Sequence, residues 1–127
     1  MSQDKPSIGS VGWLDLTVPD ADALKDFYAA VVGWSPAPVP MGDYSDYMMM
    51  NPQSETPAAG VCHARGVNSS LPSFWIPYFV VSDLDAAAGE IQTRGGTLLV
   101  PVQSAGNGKY VVFRDPAGAV AALFQSE

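Results

Sequence analysis

The chain has 127 residues, the size of one domain able to bury a sizeable core, and a formal net charge of −7. Its acids are scattered and no basic patch offsets them, which excludes nucleic acid and anionic membrane as expected partners. No apolar run approaches the ~20 residues of a membrane-spanning helix. The N-terminal MSQDKPSIGS lacks the basic-then-apolar order of a secretory signal. A single cysteine, Cys62, permits no internal disulfide, so a reducing cytoplasm is the expected location.

Residues 1–9 read as a loose lead-in. Val11–Val18 alternates, with Leu14, Leu16 and Val18 on one face and Trp13, Asp15 and Thr17 on the other, the pattern of a two-sided strand. Pro19 stops it. Asp20 stands where an N-cap belongs, and Leu24, Phe27, Tyr28, Val31 and Val32 recur at helical spacing up to Gly33, a left-handed C-terminal cap. Strands are expected at Ala37–Met41, a proline-rich edge, at Tyr44–Met50 and around Gly60–Ala64. Residues 65–73 read as a linker. From Phe74 the order starts again. A strand at Ile76–Val81 leads to a helix capped by Asp83, with Leu84, Ala87, Ala88 and Ile91 apolar and Gly95-Gly96 at its end. Strands at Thr97–Val102, Lys109–Arg114 and Ala119–Gln125 complete the chain.

A shift of 63 residues superimposes the halves without a gap, Val18 on Val81, Asp20 on Asp83, Gly33 on Gly96 and Tyr47 on Tyr110. Identities at caps and turns, where backbone geometry restricts the choice, read as a true internal repeat. The fold class is therefore α+β. Two tandem βαβββ modules, about 10–64 and 74–126, form one domain over 1–127. Each helix covers one sheet face, and the paired modules curl into a partial barrel with a concave cleft and helices outside.

LTVPDADALKDFYAAVVGW, VVSDLDAA and FRDPAGAVAALFQ resemble the strand, Asp-turn, helix-end and terminal hairpin motifs of the vicinal oxygen chelate superfamily. That superfamily groups glyoxalase I, bleomycin-resistance proteins and extradiol dioxygenases. In its metal-dependent members, the resemblance implies, one divalent ion on the concave face is held by His, Glu or Gln. The matching positions here are Trp13, Ile76 and Ala122, and none offers a lone pair to a cation. Aligning Pro57 with Pro116 makes His63 the counterpart of Ala122 and a candidate for the cleft. One imidazole beside Cys62 does not make a metal site, so neither a metal nor a cofactor is expected.

On the face away from the helices the pattern places Trp13, Asp15, Thr17, Ile76, Tyr78 and Val80. Tyr47 and Tyr110 occupy matched places, and Met49 lies two residues beyond Tyr47. Such a trough has apolar walls and a few polar groups, as a ligand pocket requires, and its rings suit a planar or cationic molecule. The same aromatics also suit packing of the concave side or a subunit interface. The first functional expectation is metal-independent binding of a small aromatic or cationic organic molecule, in the manner of the bleomycin-resistance branch. A second is a metal-free lyase or isomerase with Asp15 as general acid or base, assisted by His63 or Tyr78. A third is a structural or regulatory module whose cleft dimerisation closes. Similarity to the family implies a homodimer.

Overall fold

A computed structural model describes residues 7–127; the first six residues of the sequence's lead-in lie outside it. Eight strands and two helices follow in the order β1 (Val11–Val18), α1 (Ala21–Val32), β2 (Ser35–Pro40), β3 (Ser45–Met50), β4 (Pro57–His63), β5 (Trp75–Val80), α2 (Leu84–Thr93), β6 (Thr97–Ala105), β7 (Gly108–Arg114) and β8 (Val120–Ser126). This is the βαβββ order twice over. A single 3₁₀ turn, Gly66–Asn68, interrupts the stretch read as a linker, and Leu71 just beyond it is buried. The chain divides into two compact units, Leu14–Trp75 (the first unit) and Ile76–Glu127 with the chain up to Trp13 (the second).

In the first unit the strand order is β2-β3-β4-β1, antiparallel except for β1 beside β4. Asp20 starts α1 by accepting from the Ala23 backbone N–H at 3.1 Å, and Gly33 ends it at φ 89°, left-handed backbone that glycine adopts without strain. Ala21, Leu24 and Tyr28 face the sheet and pack with Leu16, Val18, Met49 and Val61. The predicted apolar face of α1 was wider than the one used. Phe27, Val31 and Val32 are exposed, because the sheet covers only the narrow stripe through residues 21, 24 and 28. Trp75 closes this core: its indole N–H donates to Tyr28 Oη at 3.0 Å, and its ring lies edge-on to both Tyr28 and Trp34.

The second unit repeats the plan in the order β5-β8-β7-β6, again with one parallel pair, β5 with β8. Asp83 caps α2 by accepting from Ala86 N–H at 3.1 Å, as its position in the repeat requires. Gln125 Oε1 takes a further free N–H of this helix end, that of Leu84, at 2.7 Å. Leu84, Ala87 and Ile91 pack over Val111 and Leu123, with Phe79, Val81 and Phe113 around them. Gly9 and Ser10 exchange backbone hydrogen bonds with Val80 at 2.7 and 2.9 Å, which ties the described start of the chain to β5.

The repeat is not gapless. β3 residues Met48 and Asp46 pair with Ala37 and Val39, whereas in the second unit Val112 and Tyr110 pair with Val100 and Gln103. A bulge in β6 thus inserts one residue between the matched positions. Side chains alternate along a strand, so this slip turns the third strand of one unit over relative to a simple shift.

Candidate functional site

The sheet register decides which predicted residues share a surface. In the first unit Tyr47 pairs with Val61 and both belong to the core under α1, so Tyr47 lies on the helix side of the sheet. Met49 joins the same core and is fully buried. His63, two residues beyond Val61, follows it to the helix side. Tyr47, Met49 and His63 therefore do not line the face that carries Asp15, which corrects the sequence-based trough. The match of Tyr47 with Tyr110 fails because of the β6 bulge: the counterpart of Tyr110 is Asp46, one residue before Tyr47. The counterpart of Ala122 also changes. Ala122 pairs with Tyr78 and Asp15 with Gly60, so Gly60 takes the place that the Pro57–Pro116 alignment gave to His63.

The helix-free face of the first unit is polar. Cys62 Sγ lies 3.7 Å from Asp15 Oδ1 and donates towards it, and Thr17 beside them is 3 % exposed. Asp46 alternates onto the same face. Burial, reinforced by the charges of Asp15 and Asp46, pushes the Cys62 thiol far above its ordinary value of 9.0. The result is an unreactive, protonated sulfhydryl. Its consequence for stability has a definite sign. The folded thiol keeps its proton while the unfolded thiol loses it above pH 9.0, so stability falls as pH rises past that value. The expected slope approaches about 1.4 kcal/mol per pH unit. Tyr47, raised by its hydrogen bond to Asp22, and Lys25, raised by its bond to Asp26, act in the same direction nearer pH 10. Urea titrations at about pH 8 and 9.5 compare wild type with Cys62→Ala. The variant should lose most of this early alkaline decline; an unchanged decline would assign it elsewhere.

The second unit presents a different surface. On its helix-free face Tyr78 and Tyr110 are half-buried, with ring centroids 6.1 Å apart and planes tilted by 52°. Ile76, Val112 and Ala122 alternate onto the same face and are fully buried at 1 %, 0 % and 0 % exposure. Ile76, expected in the trough, and Ala122, expected to line the cleft from the last strand, are thus packing residues with almost no surface for a ligand. Trp13, on the strand that leads into Asp15, is half-buried. Asp15 and His63, paired in the sequence-based catalytic proposal, lie on opposite faces of the first unit.

His63 has its own surroundings. Asp46 Oδ1 accepts from its backbone N–H at 2.8 Å and stands 3.4 Å from its Nδ1. The Tyr44 ring is edge-on at 5.3 Å, and Arg65 stacks over Tyr44 at 4.0 Å. Asp22, in the first turn of α1, accepts from Tyr47 Oη at 2.5 Å and lies 4.0 Å from His63 Nε2. The only sequence signal for this cluster was the helix-start aspartate pair; its meeting with β4 is a product of the register.

An open cavity of about 350 Å³ lies elsewhere, at the seam of α2 with its sheet, lined by Val81, Ile91, Phe113 and Leu123 with Glu90, Arg94 and Asp115. Arg94 is already paired with Glu90 at 2.7 Å, and the apolar lining is the flank of the second core. Asp115 Oδ1, at the cavity's rim, accepts from the Ala117 and Ala119 N–H groups of the β7–β8 turn.

The family model of the Glyoxalase/Bleomycin resistance protein/Dioxygenase superfamily matches residues 10–123. The chain belongs to that superfamily. It is 30% identical to the anthracycline biosynthesis protein DnrV of Streptomyces peucetius over 92% of its own length and 47% of that protein's. It is 32% identical to the putative glyoxylase CFP32 of Mycobacterium bovis, covering 93% of itself and 46% of that protein. The chain thus spans about half the length of these curated relatives. Among solved structures it resembles methylmalonyl-CoA epimerase from Mycobacterium tuberculosis, with a TM-score of 0.59, 16% identity and coverage of 90% of this chain and 85% of that one. That likeness is one of fold. The family's metal positions, carried over by register, fall on Trp13, Gly60, Ile76 and Ala122, and no donor side chain stands at any of them. Those positions do not fit a metal ion. Among the described residues no helix is long and apolar enough to cross a membrane.

Proposed function

We propose that this superfamily member binds a small planar aromatic molecule on the helix-free face of its second unit, without a metal at the family's position. The observation that carries the reading is the half-buried Tyr78–Tyr110 pair above a buried apolar strand face. Two tilted rings about 6 Å apart present π-faces and edges to a flat ligand, and the alternation of β5 and β7 aims both from rigid strands. The net charge of −7 favours ligands carrying a positive substituent over anionic ones. The DnrV relative, named for anthracycline biosynthesis, supports a polycyclic aromatic as the class to try first.

Calorimetric titration of the EDTA-treated full chain with neutral and cationic anthraquinones tests this. Saturable binding is expected, weakened roughly tenfold by Tyr78→Ala and by Tyr110→Ala, the size of a lost ring contact plus its area. Absence of saturable binding across the panel, or affinity indifferent to both substitutions, would sink the reading.

A further inference from the structure

On the helix side of the first unit, and using none of the family's metal positions, we propose a second kind of site: a divalent transition-ion site formed by Asp20, Asp22 and His63. Ligand atoms of these three side chains lie within 4.8 Å of one another. Donors roughly 2.1 Å from one ion stand about 3–4 Å apart, so small rotations of the two exposed aspartates bring the set into range. The two carboxylates come from the start of α1 and the imidazole from the end of β4, and these elements are held together by the unit's core.

The state of the histidine is the independent observation. It is the chain's single histidine, its side chain is 9 % exposed, and among the described residues its Nδ1 is a buried atom without a hydrogen-bond partner. Nδ1 stands 3.4 Å from the part-buried Asp46 carboxylate. A proton on Nδ1, directed to Asp46, leaves the Nε2 lone pair aimed at Asp22, 4.0 Å away. Carboxylate, imidazole and ion in that order is how a ligating histidine is oriented and made more basic. Without an ion the ring keeps a buried Nδ1 that no hydrogen bond satisfies, an arrangement that costs free energy. One imidazole with two carboxylates suits a borderline ion such as Zn²⁺ or Co²⁺ over Mg²⁺ or Ca²⁺, which prefer all-oxygen sites.

The positive end of α1 opposes a cation. Its effective charge is about +0.5, against two full carboxylate charges at the site and a third at Asp46. Asp20 caps the helix through Oδ1, and its second oxygen is the one left for an ion. Lys25, the nearest cation in α1, is held by Asp26 at 2.8 Å, and Arg65 is directed to Asp43 and the Tyr44 ring. The balance at Nε2 is negative.

The experiment is titration of the chelator-stripped full chain with zinc chloride by calorimetry and with cobalt chloride by visible absorption. One equivalent of zinc per chain is expected, with cobalt d–d bands of an N/O-ligated ion and no comparable heat from magnesium. His63→Gln and Asp22→Asn should each weaken binding at least tenfold, Asp46→Asn by about tenfold through the orienting contact, and Asp15→Asn not at all. Asp22 is exposed, so its variant keeps the fold whatever happens at the buried histidine; circular dichroism verifies this. Zinc binding that is absent, or indifferent to Asp22→Asn, overturns the site. Anthraquinone binding is read separately, so loss of one proposal leaves the other standing.

Discussion

Met49→Ala is expected to lower the unfolding free energy by about 2–5 kcal/mol and to leave aromatic-ligand binding unchanged. Met49 is 0 % exposed at the centre of the first unit's core, between α1 and the β3–β4 pair. Its truncation leaves a void lined by Leu16, Val18 and Val61, which strand pairing holds too firmly to collapse. A sequence-based position in the trough would give the opposite pattern, near-normal stability and weakened binding. Urea unfolding together with anthraquinone titration of the same variant separates the two.

Gly108→Ala is expected to cost about 3 kcal/mol, the upper end for overpacking, by a steric clash. Gly108 opens β7 opposite Ser126, and a Cβ built there would stand 2.2 Å from the Gln125 backbone oxygen and 2.8 Å from the Phe124 ring. The ring can swing away; the carbonyl belongs to the β7–β8 ladder and has nowhere to go. Gly89→Ala, in α2 with nothing within 4 Å of its would-be Cβ, is the control and should raise stability by up to ~1 kcal/mol. Equal thermal midpoints for the two variants would contradict this account.

Much of the architecture could be read from residues because it is written in local chemistry. Asp20 and Asp83 accept the helix-start N–H groups that their spacing assigns them, and Leu84, Ala88 and Ile91 face the sheet as their period requires. Faces of strands are a different matter. They depend on register, and a bulge such as that between Val100 and Gln103 has no residue signature in PVQ; the extra residue breaks the match of Tyr110 with Tyr47 and makes Asp46 its counterpart. The separation of Asp15 from His63 follows from the same arithmetic of alternation. Phe27 and Val31 mislead for another reason: helical periodicity gives the width of an apolar face, while only packing tells how much of it is covered. Trp75 gives no such signal, because a single indole at the first place of a strand carries no period at all.

β2 pairs with β3 through Ser35, Ala37 and Val39 alternating with Pro36, Pro38 and Pro40. Residues at every second place send their N–H groups to the same side, so the three prolines fall together on the margin turned away from β3. That margin has carbonyls but no donors, and a strand from a neighbouring molecule finds no ladder to extend. The terminal strand of the first unit is thereby barred from seeding chain-to-chain polymerisation, a safeguard supplied by main-chain chemistry and not by surface charge.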